Sequence, residues 1–133
     1  MSHINKQLAL AFLNLAFANR TEEALRMMSD DASWWVAGSA DRLKVAGNKN
    51  RMQIERLLKA VARAVPNGMR TLVHGVTAED DRIAIEVEAE GIWSNGKPYH
   101  NRYHFLIRIR EGLIQEVREY MDTLHLFDVL SDE

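Results

Sequence analysis

The chain has no cysteine among its 133 residues. Disulfides, thiolate metal sites and a cysteine nucleophile are therefore excluded, and the redox compartment stays open. Proline occurs twice and glycine seven times, and no stretch is rich enough in either to read as an interdomain linker. No charge of one sign dominates. The formal net charge is -2, so no global basic field draws in nucleic acid. No apolar run approaches the length of a membrane span. The run Leu8 to Phe17, after Lys6, imitates a short secretory signal, but Asn14 interrupts it. Its apolar positions Ile4, Leu8, Ala11, Phe12 and Leu15 have helical spacing, which reads as an amphipathic helix. A cytoplasmic location without nucleic-acid or membrane partners is expected. Gly-rich phosphate loops and nucleophile elbows are also missing.

What is present is an ordinary globular balance, 47% hydrophobic and 27% charged. It fits one domain over residues 1–133 with one core. Helices are expected at 4–18, at 21–28 with Thr21 as N-cap, and at 49–64, where Ile54, Leu57, Leu58, Val61 and Val65 form a stripe. Ser29-Asp30-Asp31 reads as the end of the second helix, and 38–48 as a loop. Lys49, Arg56, Lys59 and Arg63 recur on another face of the third helix, which reads as a solvated surface rather than an anion- or membrane-binding one. A first strand is expected at 32–37. From Met69 the period changes to two, with strands at 69–77, 83–93, 99–110 and 113–121. A short helix at 123–130 should bury Leu124, Phe127 and Leu130. The fold class is α+β: a curved antiparallel sheet covered by three helices from the N-terminal half, with a cone-shaped cavity between the layers for a ligand.

Strand 99–110 alternates sharply. Tyr99, Asn101, Tyr103, Phe105, Ile107 and Ile109 share one face, which must meet the helices. In the preceding strand Glu86, Glu88 and Glu90 alternate with apolar residues and taken alone belong in water. A two-residue type I′ turn at Asn95-Gly96 argues otherwise. It pairs Glu90 with Asn101, Glu88 with Tyr103 and Glu86 with Phe105, and opposed residues share a face. The glutamates then line the cavity, unless a bulge shifts the register. Ile83, Ile85, Val87 and Leu106 would form a half-apolar outer face, and a homodimer through it is expected. For the last strand, a two-residue turn at Glu111-Gly112 brings Arg118, Tyr120 and Asp122 inward. A three-residue turn with a bulge at Gly112 brings Val117, Glu119 and Met121 inward instead.

Paired carboxylates are the sharpest chemical feature. An acid near another acid or an apolar wall has a raised pKa and can move protons near neutral pH. Glu88 with Glu119 or Asp122 is the candidate catalytic set. The competing readings are ion pairs with Arg102, Arg108 or Arg118 and, for Asp122, the N-cap of the final helix. Phe12, Asn101, Tyr103, Tyr120 and one of Trp34 and Trp35 are candidate substrate-binding residues. His100, His104 and His125 with Asp122 invite a metal reading, but His100 and His104 fall on the outer face and no spaced ligand set exists. Neither metal nor cofactor is expected.

The order of elements, Asp30-Asp31-Ala32 leading into the first strand, and NGKPYHNRYHFLIRIREGLIQEVREYMDT together resemble the SnoaL-like branch of the nuclear transport factor two-like superfamily. The resemblance implies the cone fold (also called cystatin-like) and a common dimeric state. Relatives include polyketide cyclases, ketosteroid isomerases, limonene-epoxide hydrolases and pocket proteins of unknown activity. The polar positions of ketosteroid isomerases match Phe12, Val36 and about Phe105 here, where all three polar groups are absent. The acids of limonene-epoxide hydrolases match Glu88 and Glu119, and their arginine matches Glu86. The expected function is cofactor-independent acid/base chemistry on a small apolar organic molecule, of isomerase, cyclase or hydrolase type. The alternative is a non-catalytic ligand-binding module or dimeric adaptor using the same cavity.

Overall fold

The computed structural model describes residues 2–131. The elements run α1 (Ser2–Phe17), α2 (Thr21–Arg26), β1 (Met28–Val36), β2 (Gly47–Lys49), α3 (Arg51–Ala64), β3 (Arg70–Glu79), β4 (Arg82–Ile92), β5 (Pro98–Arg110), β6 (Leu113–Met121) and α4 (Thr123–Leu130). Six strands form one curved sheet in the order β2-β1-β6-β5-β4-β3. The expected α+β architecture is present, with one correction: β1 runs parallel to β6, so the sheet is not wholly antiparallel.

Local chemistry explains the element boundaries. Asn50 caps α3 in a box with Gln53, which satisfies two orphan donors reciprocally. The Arg51 guanidinium donates to the carbonyls of Leu25 at 2.9 Å and of Met28 and Ser29 at 3.0 Å, tying α3 to the α2–β1 junction. Thr21 opens α2 as its first helical residue rather than capping it. Ser29-Asp30-Asp31 does not end a helix but belongs to β1. Met28 and Ala32 bury their side chains while Asp30 and Asp31 stay exposed, and the Gln115 amide on β6 bonds Asp31 at 3.1 Å. The expected loop 38–48 ends in β2, which pairs Lys49 with Trp34. In α4 the buried residues are Leu126 and Val129, while Leu124 is exposed. Asp122 sets that phase. Its carboxylate accepts from the backbone of Leu124 and His125 at 3.1 and 3.2 Å, and its own backbone is held by Asn101.

The β4–β5 hairpin overturns the expected register. Its loop holds three residues, Ser94 to Gly96: Trp93 N donates to Lys97 O at 2.9 Å and Gly96 N to Trp93 O at 2.8 Å. A type I′ turn needs positive φ at both central residues, and here Gly96 has it (φ 87) while Asn95 does not. The Asn95 side chain instead accepts from Lys97 N and donates to Val129 O, both at 3.0 Å. One extra loop residue shifts every pair by one, so Val87 faces Tyr103 and Glu88 faces Arg102. Ile83, Ile85 and Val87 are therefore core residues, and Glu86, Glu88 and Glu90 lie on the outer face. Of the four residues expected to make the outer face half apolar, Ile83, Ile85 and Val87 are in the core and Leu106 alone stays outside. That surface instead carries charge, including ion pairs of Glu90 with Arg70 and of Arg108 with Asp81 and Glu116.

The β5–β6 hairpin resolves the open choice in a third way. Arg110 pairs with Leu113 across a two-residue turn, and Glu111 and Gly112 both have positive φ, 53 and 78. The ladder then shifts between Arg108 and Ile109, leaving Gln115 as an extra residue on β6, and continues with Ile107 opposite Val117 and Phe105 opposite Glu119. The bulge lies inside the strand, not at Gly112, and it turns Val117 and Glu119 inward.

Candidate functional site

Between α1, α3, α4 and the concave sheet face lies a cavity of about 240 Å³. Its walls include Leu13, Phe17, Val61, Met69, Trp93 and Phe105, and its polar groups come from Trp34, Tyr99, Tyr103 and Glu119. Among the described residues Glu119 is the single carboxyl of the lining.

Glu119 reaches this position through the β6 bulge. Trp34, on the neighbouring β1, donates its indole N–H to Glu119 Oε1 at 2.8 Å. The accessible part of the Glu119 side chain faces the cavity, and protein surrounds the rest. Burial pushes its pKa from 4.5 up to about 7, because the charged form loses hydration. The Trp34 hydrogen bond and the positive charge of Lys49 pull the other way without prevailing. Glu119 is therefore a carboxyl that gives or takes a proton near neutral pH.

The second polar group is a chain of hydroxyls on β5. Tyr99 and Tyr103 hydroxyls are 2.6 Å apart, and the Asn101 amide donates to the Tyr99 hydroxyl at 3.0 Å. The amide orientation of Asn101 follows from its backbone partners. Its oxygen accepts from Arg102 N (2.8 Å) and Asp122 N (3.0 Å), and its nitrogen also donates to Asp122 O at 3.0 Å. Burial pushes Tyr99 up to about 12 and Tyr103 well above its usual value, so both keep their protons at neutral pH.

The remaining expected site residues divide clearly. Trp34, not Trp35, lines the cavity; Trp35 lies on the outer face, with its ring 5.2 Å from Tyr120 and the Arg118 guanidinium 4.4 Å above it. Tyr120 is therefore not a cavity residue, because the bulge turns it outward. Glu88 also sits outside the cavity. It bonds His74 at 2.7 Å and also His100, and these contacts hold its carboxyl below the usual range. No Glu88–Glu119 pair forms, since the two lie on opposite faces of the sheet. Asp122 is the N-cap of α4. Phe12 is fully buried behind the cavity wall, its ring 5.8 Å from Trp34. Asn101 is buried as well, outside the lining, and orients Tyr99.

Sequence reasoning placed Tyr99 on the inner face without giving it a role, did not single out Phe17, and read Lys49 only as part of the basic row of the third helix. Tyr99 shares the face of Tyr103, so the β5 alternation carried the signal. Phe17 closes α1 one turn beyond its clearest apolar stripe, with its ring 5.3 Å from that of Tyr103. Lys49 enters through β2, which has only three residues and left no periodic trace. Among the described residues no cluster of histidine and acid side chains is arranged to hold a metal ion.

A curved sheet roofed by helices over an apolar cavity is the nuclear transport factor two-like fold. The chain belongs to the SnoaL-like domain family, whose model matches residues 9–117. No curated protein matches it in sequence. Among solved structures it is similar to an NTF2-like protein from Burkholderia xenovorans LB400, with 18% identity, 98% of each chain covered and a TM-score of 0.77. It is also similar to TerC co-crystallized with polyporic acid, at 20% identity over 95% of this chain and 97% of that one, TM-score 0.79. A third is a protein from Jannaschia sp. CCS1 assigned as a SnoaL-like polyketide cyclase, at 14% identity over 99% and 94% of the two chains, TM-score 0.80. At these identities the likeness is one of fold.

Proposed function

We propose that this protein is a cofactor-independent acid/base catalyst for a small, largely apolar organic molecule, with Glu119 as the proton-transferring group. The observation that carries this reading is a carboxyl poised near neutral pH inside an apolar cavity and held by an indole N–H. Such a group takes a proton from a carbon beside a carbonyl and returns it at another atom. Tyr103 supplies the complementary role. Either hydroxyl of the Tyr99–Tyr103 pair can donate; in the arrangement in which Tyr99 donates, the Tyr103 proton is free to stabilise charge developing on a ligand oxygen. A single cavity acid supports proton relocation, as in isomerisation or carbon–carbon ring closure, over hydrolysis that divides acid and base between two carboxylates. Membership in a family that includes cyclases and isomerases is consistent with this.

The test is a carboxyl-carbon NMR titration of the wild-type protein, with Glu119→Gln to assign the signal. A midpoint near 7 is expected. A Glu119 midpoint near that of an exposed glutamate, about 4.3, removes the proton-transfer reading and leaves ligand carriage as the function of the cavity.

A further inference from the structure

Arg56, Lys59 and Arg63 of the basic row are exposed on α3, while Lys49 lies on β2 rather than on the helix, and their partners differ. Lys59 is neutralised by Glu55 at 2.7 Å. Arg56 turns to a different place, an open cleft walled by Lys44, Ala46, Asn48, Lys49, Gln53 and Arg56. Among the described residues three cations and no acid line this cleft, in a chain whose net charge is -2. Among the described residues neither Lys44 nor Arg56 has an ion-pair partner. Arg56 donates to the thioether of Met52 at 3.2 Å, a weak acceptor. Lys49 is held in place by the carbonyls of Val45 and Gly47. Val45 and Leu57 belong to the walls of both the cleft and the cavity. The cavity and the cleft therefore adjoin across these two side chains, and a ligand end that passes between them reaches the cations.

We propose that the cavity's ligand is an organic anion, an apolar body with a carboxylate at one end, whose charged end rests among Lys44, Lys49 and Arg56. This rests on the cavity being a ligand site, as above, and adds the chemical class of the ligand. The size of the body follows from the cavity. An engineered cavity of about 150 Å³ holds benzene, so 240 Å³ accommodates roughly ten non-hydrogen atoms on the same ratio. The aromatic walls suit a ring. The cleft supplies what the cavity lacks, since the single charged group inside the cavity is an acid and would repel a carboxylate placed there. The cations wall the space that adjoins the cavity at Val45 and Leu57, and Lys44 and Arg56 are exposed, so the attraction depends on salt.

The probes are 4-phenylbutyrate and 4-phenyl-1-butanol, which share a body and differ in charge, with affinities measured by calorimetry at pH 7.5 and low salt. The acid is expected to bind about two- to fivefold tighter than the alcohol, the upper part of the range for one exposed charge contact. The preference should shrink at 0.5 M salt and vanish in the Lys44→Gln/Arg56→Gln protein, where both altered side chains are exposed and the alcohol should bind as before. It should persist in Glu119→Gln. Equal binding of acid and alcohol by the wild type overturns the proposal and leaves the cavity reading intact. A preference that survives the double substitution, or disappears with Glu119, places the anion elsewhere and overturns it too. If neither probe binds, the cavity reading and the proposal fall together.

Discussion

Glu119 owes its chemistry to a contest that burial wins. Desolvation raises its pKa, while the Trp34 hydrogen bond and the Lys49 charge lower it. Removing a counterweight must therefore move the carboxyl further up. In Trp34→Phe the ring volume is largely kept and the N–H donor is lost. A hydrogen bond to a charged acceptor is worth about 1.5–3 kcal/mol, and about 1.4 kcal/mol corresponds to one pH unit. The Glu119 midpoint in Trp34→Phe should rise by roughly one pH unit, read by the same carboxyl titration, and any rate that depends on the ionised form should shift its pH profile upward with it. An unchanged midpoint would mean that the indole contact does not act on the charged state. At this scale the sequence was partly readable. It offered Glu119 as an inward acid in one of two parities and Trp34 as one of two candidate indoles. It did not offer their contact, which spans 85 residues of chain. Lys49 was read as part of the basic row of the third helix, and its place beside Trp34 was missed because the strand that brings them together has three residues.

Among the elements, the strands were legible where burial alternates and illegible where turns decide register. The β5 pattern Tyr99, Asn101, Tyr103, Phe105, Ile107, Ile109 is buried at each position, as its alternation implies. The two hairpins flanking it carry the same kind of dipeptide and solve the turn differently. Asn95-Gly96 sits in a three-residue loop whose conformation is fixed by α4 through Val129 O, a contact outside any local window. Glu111-Gly112 forms the two-residue turn, and a bulge at Gln115 then reverses the parity. One residue of slip in a strand exchanges its two faces, which is why Glu88 was expected inside and lies outside. The second turn also carries a testable cost. Glu111 has φ 53, a conformation that disfavours an ordinary side chain by about 1–2 kcal/mol and that asparagine tolerates better. Glu111→Asn should stabilise the protein by about 0.5–1 kcal/mol in urea unfolding, with an unchanged slope. A loss of stability would show that the Glu111 side chain contributes something the turn geometry does not reveal.

For the whole molecule, the burial that raises the Glu119 pKa also destabilises the fold, and the sign of that effect is fixed. The folded-state pKa of Glu119 is about 7 against 4.5 for the ordinary group. Below about pH 4.5 both folded and unfolded states hold the proton and Glu119 costs nothing. Between 4.5 and 7 the folded state binds more protons than the unfolded state, so stability falls as pH rises, and above 7 the loss is complete. The full difference corresponds to about 3 kcal/mol, less where water in the cavity solvates the carboxylate. Glu88 works in the opposite sense. Its histidine contacts depress its pKa, so its contribution is present above the ordinary glutamate value and is lost as pH falls through the lowered one. The two windows barely overlap, which makes the Glu119 term separable. Glu119→Gln keeps the shape and an acceptor for the Trp34 N–H but cannot ionise. Urea unfolding of both proteins at pH 5 and pH 8 should show the variant gaining on the wild type by about 2–3 kcal/mol between the two values, with similar stabilities at pH 5. If the difference between the proteins is the same at both pH values, Glu119 is not desolvated in solution. The near-neutral acid on which the catalytic reading depends would then be absent.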